Sequence, residues 1–135
     1  MSTTTPIIYA STSLPPLPYY PSPKEGEHYI GTILRAGGIG HHIFSIPTKR
    51  GLKKTWTAAL NYAAANGGEL PDCVESALLF TTRDEVEFDP DWYWTREQYA
   101  ADTDFALCQN FSSGRQNNGL KSTKLRVVLV RRVAI

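Results

Sequence analysis

The spacing of apolar positions changes period several times along this chain, and each change marks an element. Tyr29-Ile30-Gly31-Thr32-Ile33-Leu34 and His41-His42-Ile43-Phe44-Ser45-Ile46 flank the glycine-rich Ala36-Gly37-Gly38-Ile39-Gly40, which predicts a hairpin stopped by Pro47. Trp56, Ala59, Leu60, Ala63 and Ala64 then recur at helical spacing, so a helix is expected from about Lys54 to Ala65, closed by Asn66-Gly67-Gly68. After Pro71, Asp72 and Glu75 stand at the spacing of a capping box and open a second helix, with Val74, Ala77, Leu78 and Thr81 on one face. From Trp92 the pattern turns to strands: Trp92 to Thr95, then Phe105 to Phe111 with Phe105, Leu107 and Phe111 on one face, then Lys124 to Val133. Leu125-Arg126-Val127-Val128-Leu129-Val130 is apolar on both faces, the pattern of a central strand covered on two sides. Alternation sends Tyr93 away from Trp92 and Trp94, both expected in the core. The order is that of an α+β fold: an N-terminal hairpin, two helices, then a C-terminal antiparallel sheet.

Residues 1–25 break from this pattern and read as a proline-rich extended arm preceding a domain over 26–135. Pro6, Pro15, Pro16, Pro18, Pro21 and Pro23 fix φ and remove amide donors, which excludes a helix or a central strand. Two readings of the arm stay open. One is a solvated leader. The other is an extended arm that grips a neighbouring subunit in a homo-oligomer or a larger assembly through Ile7, Ile8, Tyr9, Leu14, Leu17, Tyr19 and Tyr20.

Composition narrows the partners. A chain of 135 residues with 41% hydrophobic content can bury one sizeable core but not two. Fourteen Lys and Arg oppose thirteen Asp and Glu, with no dense basic run, so no nucleic-acid partner is expected. The first thirty residues lack the charged start and apolar core of a secretory signal, and no run approaches a membrane span; synthesis in a cytosol and no membrane insertion are expected. In that compartment Cys73 and Cys108 are expected to stay reduced and buried rather than bridged.

Catalytic and metal chemistry find little support. Adjacent residues on a strand face opposite ways, so His41 and His42 do not readily share one ion, and one of them is expected to face solvent. Asp89, Asp91, Asp102 and Asp104 carry oxygen donors without the spacing of a calcium loop and read as solvated loop charge. Cys73 falls in the first turn of the second helix, where the dipole lowers a thiol pKa; the competing reading is a small residue wedged under the Leu70-Pro71 turn. No nucleophile triad, phosphate loop or carboxylate pair is visible, so neither enzymatic activity nor a cofactor or metal is expected.

What the C-terminal third does carry is a polar display. Arg96, Gln98, Tyr99 and Lys121, with Gln109, Asn110, Arg115, Gln116, Asn117 and Asn118, give Tyr and Arg as anchors and amides as adaptable hydrogen bonders, the composition of recognition loops. An ordinary polar hairpin surface is the alternative.

Several of these landmarks occur together in a known order. The early hairpin, the alanine-rich helix with a leading Trp, Gly67-Gly68-Glu69-Leu70-Pro71, Tyr93-Trp94-Thr95, Asn110-Phe111 with Gly114, and the closing Val130-Arg131-Arg132-Val133 resemble the Lcl C-terminal-like domain family. The resemblance covers roughly residues 26–135 and implies a C-type-lectin-like fold of the kind common in phage and bacterial proteins. The chain departs from the family at Gly68-Glu69-Leu70-Pro71-Asp72-Cys73, where an aromatic and a basic residue usually precede the Leu-Pro pair. It also lacks the Glu-Pro-Asn and Trp-Asn-Asp segments of calcium-dependent sugar binders. By resemblance, the expected protein is made in a host cytoplasm and carried in a phage virion or tail, beside other virion subunits. It would recognise a host surface protein or glycan through the C-terminal polar face in receptor binding and host adsorption. The alternatives are an intracellular phage-encoded inhibitor of a host protein and a structural decoration or assembly subunit.

Overall fold

The glycine-rich turn reverses the chain where its spacing predicts. A computed structural model describes residues 21–135; the arm positions from Ile7 to Tyr20 lie outside the described residues. Strands β1 (His28–Leu34) and β2 (Gly40–Ile46) pair antiparallel from His28↔Ser45 to Leu34↔Gly40. Gly37 and Gly38, at φ 81° and 77°, supply the left-handed backbone that the reversal requires.

Helix α1 (Trp56–Ala65) begins later than its periodicity suggests. Lys53 and Lys54 are held instead as the short strand β3 (Lys53–Lys54), through pairing with Arg126 and Leu125. Helix α2 (Cys73–Thr81) opens on the expected capping box: the Asp72 carboxylate accepts from Glu75 N at 2.8 Å, and the Asp72 amide donates to Glu75 Oε1 at 2.8 Å. The buried face of α2 differs from expectation. Glu75, Ser76 and Leu79 point inward, whereas Ala77 and Thr81 are exposed and Val74 is 49% exposed. The cause is Glu75, whose carboxylate is clamped by Arg132 Nε at 2.5 Å, Arg132 Nη2 at 2.7 Å and His41 Nε2 at 2.8 Å. A paired buried charge therefore sets the roll of the helix, overriding its weak apolar stripe.

Strands β4 (Trp92–Gln98), β5 (Phe105–Asn110), β6 (Gln116–Leu120), β7 (Leu125–Arg126) and β8 (Leu129–Ala134) follow. They form two sheets, β1-β2-β8 and β3-β7-β4-β5-β6. The predicted single strand from Lys124 to Val133 is thus divided, its first part entering the larger sheet and its second pairing with β2 from Ile46↔Leu129 to His41↔Ala134. Nor is the C-terminal sheet purely antiparallel, because β4 and β7 run parallel at Tyr93↔Arg126. The fold is α+β with two helices on mixed and antiparallel sheets.

Strand alternation divides the core. Val127 and Leu129 join Trp94, Ala59, Ala63, Leu70, Ala106 and Cys108 in one cluster, with Trp56 and Trp92 packed against it. Val128 and Val130 join Tyr93, Ile30, Ile43, Leu79 and Phe111 in the other. The run Val127–Val130 is therefore buried on both faces, as its composition requires, although a break in the ladder passes through it. Tyr93 and Trp94 separate as alternation demands. In β5 the positions packed with Trp94 are the small Ala106 and Cys108, which make room for its ring, while on the other face Phe105 and Leu107 are only half-buried.

Both histidines have protein partners. His41 reaches Glu75, and His42 is buried with Nδ1 2.7 Å from Thr32 Oγ1, so neither is the solvent-facing residue that alternation suggested. Among the described residues no helix is long and apolar enough to cross a membrane.

Candidate functional site

The hairpin between β5 and β6 reverses through residues 111–115, and its turn is braced by its own side chains. The Asn110 Oδ1 accepts from Ser112 N at 2.7 Å and Ser113 N at 3.0 Å, while Asn110 N donates to Arg115 O at 2.8 Å. One amide side chain thereby takes up the donors that the turn would leave loose. Gly114 supplies φ 80°, and the Phe80 ring lies where a Cβ would stand, at 2.7 Å.

Behind the turn, Gln109 Nε2 donates to Gly114 O at 3.2 Å and its Oε1 accepts from Gln116 Nε2 at 2.7 Å. The same Gln116 amide donates to Cys73 O at 2.7 Å, which ties the turn to the start of α2. Gln109 is 1% exposed. Its predicted place on the recognition face is therefore corrected: it is a buried brace, turned inward because both amide groups find partners there. Asn110 and Gln116 also spend their amides on the turn.

The remaining polar positions separate by location. Gln98, Tyr99 and Lys121 gather where β4 ends and β5 begins, the opposite end of β5 from Arg115. Since β5 has 6 residues, the two ends lie about 17 Å apart at strand rise. Gln98 Nε2 donates to the carbonyls of Tyr99, Asp102 and Phe105, so it closes the 99–105 loop. Lys121 donates to Gln98 Oε1 and lies 4.5 Å from the Trp56 ring centroid. Tyr99 is half-buried with its ring edge-on to Phe105 at 6.5 Å. Arg96 is ion-paired with Glu69 at 3.2 Å.

At the other end, Arg115 is exposed, and only its backbone is engaged; the guanidinium has no partner among the described residues. Asn117 and Asn118 follow on β6, an edge strand of its sheet. Their backbone is partly sealed by Asn117 Oδ1, which accepts from Asn118 N at 2.8 Å. A shallow depression of about 170 Å³ lies between these asparagines, Trp92 and Leu125.

A larger cleft was not foreseen from the sequence. It has a volume of about 430 Å³ and lies between the loop after β2, residues 85–89 and β7. Its apolar lining includes Ile46, Val86, Phe88, Val127 and Val128. Its charged lining comprises Lys49, Arg50, Glu85, Glu87, Asp89 and Arg126. Arg50 pairs with Glu87 at 3.4 Å and Asp89 at 3.2 Å, and Arg126 pairs with Asp89 at 3.0 Å and Asp91 at 2.9 Å. Asp89 and Asp91, expected as solvated loop charge, are therefore ion-paired. Burial alone would raise the Asp91 carboxyl; the Trp92 amide and Arg126 outweigh it and hold it below the usual carboxylate range. The signal in the sequence was Arg126 itself, a lone cation in an apolar run that requires an acidic partner.

Neither thiol is activated. Cys73 and Cys108 are both free. Burial and the neighbouring Glu97 carboxylate push Cys73 up to about 12, which overrides the helix dipole, and burial pushes Cys108 up to about 11. Among the described residues no three His, Cys, Asp or Glu side chains converge as a metal site. No protein-family profile matches the chain, and no curated protein is significantly similar to it.

Proposed function

We propose that this protein is a non-enzymatic binding subunit of phage type, carried in a virion or tail, that recognises a host surface protein or glycan through the Arg115 end of its larger sheet. The observation that carries the reading is the contrast at one turn. Asn110, Gln109 and Gln116 fix the backbone of residues 110–116, while the guanidinium of Arg115 is left unspent. A rigid turn that presents a free Arg loses little entropy on binding, and Arg is among the residues that dominate interface energetics. Asn117, Asn118 and the depression beside Trp92 extend the surface with polar and aromatic groups suited to a peptide or a sugar. The α+β architecture is compatible with the C-type-lectin-like fold that the Lcl C-terminal-like resemblance suggests, and such folds commonly bind rather than catalyse.

Two single variants of the full chain test the assignment. Binding of fluorescently labelled protein to host cells should fall about tenfold or more for Arg115→Ala, the size of effect typical of an anchor Arg. Tyr99→Ala, at the far end of the same strands, should bind as wild type does. Normal binding by a correctly folded Arg115→Ala protein would remove the Arg115 end as the recognition surface.

A further inference from the structure

The two sheets end in the edge strands β1, β8, β3 and β6 among the described residues, and all but β6 are blunted. Strand β1 carries a bulge between Tyr29 and Gly31, the outer side of β8 is bridged by Glu69 at Val130, and β3 has only 2 residues. Strand β6 has 5 residues in unbroken register with β5, and it holds no proline and no charge. It lacks the usual devices that keep an edge from pairing. Its flanks show which backbone groups are open. Arg115 O accepts from Asn110 N at 2.8 Å and Lys121 N donates to Asp104 O at 2.9 Å, so the odd-numbered residues face β5. By antiparallel alternation, Gln116, Asn118 and Leu120 direct their backbone groups outward. At Leu120 the carbonyl accepts from Thr123 N at 2.8 Å and the chain turns away, which leaves residues 116–118 as the open stretch. The Asn118 amide there is held by the side chain of its neighbour Asn117, a contact that a change of rotamer releases.

An open edge of this kind is matched by another extended backbone, and the charges around it select which one. Residues 111–124 carry Arg115, Lys121 and Lys124 and no Asp or Glu. A second copy pairing through β6 would bring cations and no acid on its strand, in any register, to an Arg115 whose guanidinium has no partner among the described residues. Like charges across a strand pair oppose pairing. A partner with a carboxylate at that position is favoured instead. Arg115, Asn117 and Gly119 share one face, and the absent side chain of Gly119 leaves open the depression walled by Trp92, Cys108 and Leu125. On an added antiparallel strand, the residue opposite Asn117 meets these apolar walls and the residue two positions further on meets Arg115. We propose that the edge at residues 116–118 takes up an extended segment of a partner protein, added antiparallel, with an apolar residue opposite Asn117 and an acidic one opposite Arg115. The inference rests on the recognition reading above and narrows its ligand from a protein or glycan to a peptide strand.

Amide NMR of the full chain, titrated with two peptides capped at both ends, tests this. Gly-Thr-Val-Thr-Glu-Gly has the proposed pattern, and Gly-Thr-Val-Thr-Lys-Gly reverses its charge. The first should shift the backbone amides of Gln116 and Asn118 more than those of Asn117 and Gly119, which face β5. The second should bind about tenfold more weakly. Arg115→Glu should exchange the two preferences. Asn118→Pro, which removes an outward donor and spares the ladder to β5, should abolish the Gln116 response; if that protein does not fold, Arg115→Glu decides. Gln116 and Asn118 amides unmoved by the Glu peptide, equal response to both peptides, or an Arg115→Glu protein that keeps the wild-type preference would each overturn the proposal. So would amides of residues 116–118 that shift with protein concentration alone, because a second copy would then hold the edge. A fall in cell binding for Arg115→Ala, with no amide shift in the titration, would leave the recognition reading standing and remove strand addition alone.

Discussion

Arg132 and its neighbour Arg131 lie in a strand otherwise built of Leu, Val and Ala, and a part-buried guanidinium there has to bring a counter-charge with it. Glu75 supplies it, and the pair, with His41 and the Asp72 amide, joins α2 to β8 and β2. Burial alone would raise the Glu75 carboxyl; the hydrogen bonds from Arg132, the Asp72 backbone and His41 outweigh it and hold it below the ordinary carboxylate range. Arg131 lowers Glu27 in the same direction through hydrogen bonds of 2.9 and 2.7 Å. A carboxylate whose folded pKa is depressed stabilises the fold above its unfolded value, about 4.3 for Glu, and that contribution disappears as pH falls through the folded value. Thermal melts should therefore be flat above about pH 5 and decline steeply below about pH 4. Glu75→Gln, which leaves Arg132 without its partner, should cost about 3 kcal/mol at neutral pH and flatten the acid decline; a variant as stable as wild type would mean the pair does not hold α2 in place. This scale was only partly legible. An Arg in a run of Val and Leu announces that it needs an acid, yet nothing local reveals that the acid for Arg132 is Glu75 and that for Arg131 is Glu27, or that Gln109 turns inward to Gly114 and Gln116.

Among the elements, the β5–β6 turn behaves as a built unit rather than a loop. The Asn110 side chain takes two backbone donors and Gly114 takes the left-handed position against Phe80. Asn110→Ala should therefore cost about 1–2 kcal/mol in chemical denaturation and, more tellingly, should raise the hydrogen-exchange rates of the Ser112 and Ser113 amides while those in α1 stay unchanged. Unaltered exchange at Ser112 and Ser113 would show that the turn is held by something else. Local chemistry made much of this level readable: the glycine-rich reversal, the Asp72–Glu75 capping box and the alternation of Tyr93 with Trp94 all appear where their spacing places them. What spacing could not show is partner choice. Val127 to Val130 announce burial on both faces, but their transfer from the larger sheet to a ladder with β2 depends on residues some eighty positions earlier in the chain. Lys53 and Lys54 likewise leave the helix only because Leu125 and Arg126 pair with them.

For the molecule as a whole, the α+β class was readable from element order, whereas the sites were not. Reading polar composition as one face merged groups about 17 Å apart on opposite ends of β5, and it passed over the cleft, whose wall is assembled from segments distant in sequence. The two regions differ in construction: a braced turn that leaves Arg115 outward, and a cleft of mixed lining in which Arg50 and Arg126 are ion-paired. Hydrogen exchange of the full chain, with and without host envelope material, separates recognition at the turn from recognition elsewhere. The account predicts new protection confined to residues 112–118 and lost in Arg115→Ala. Protection confined to residues 98–105, or none at 112–118 while the material binds, would contradict it.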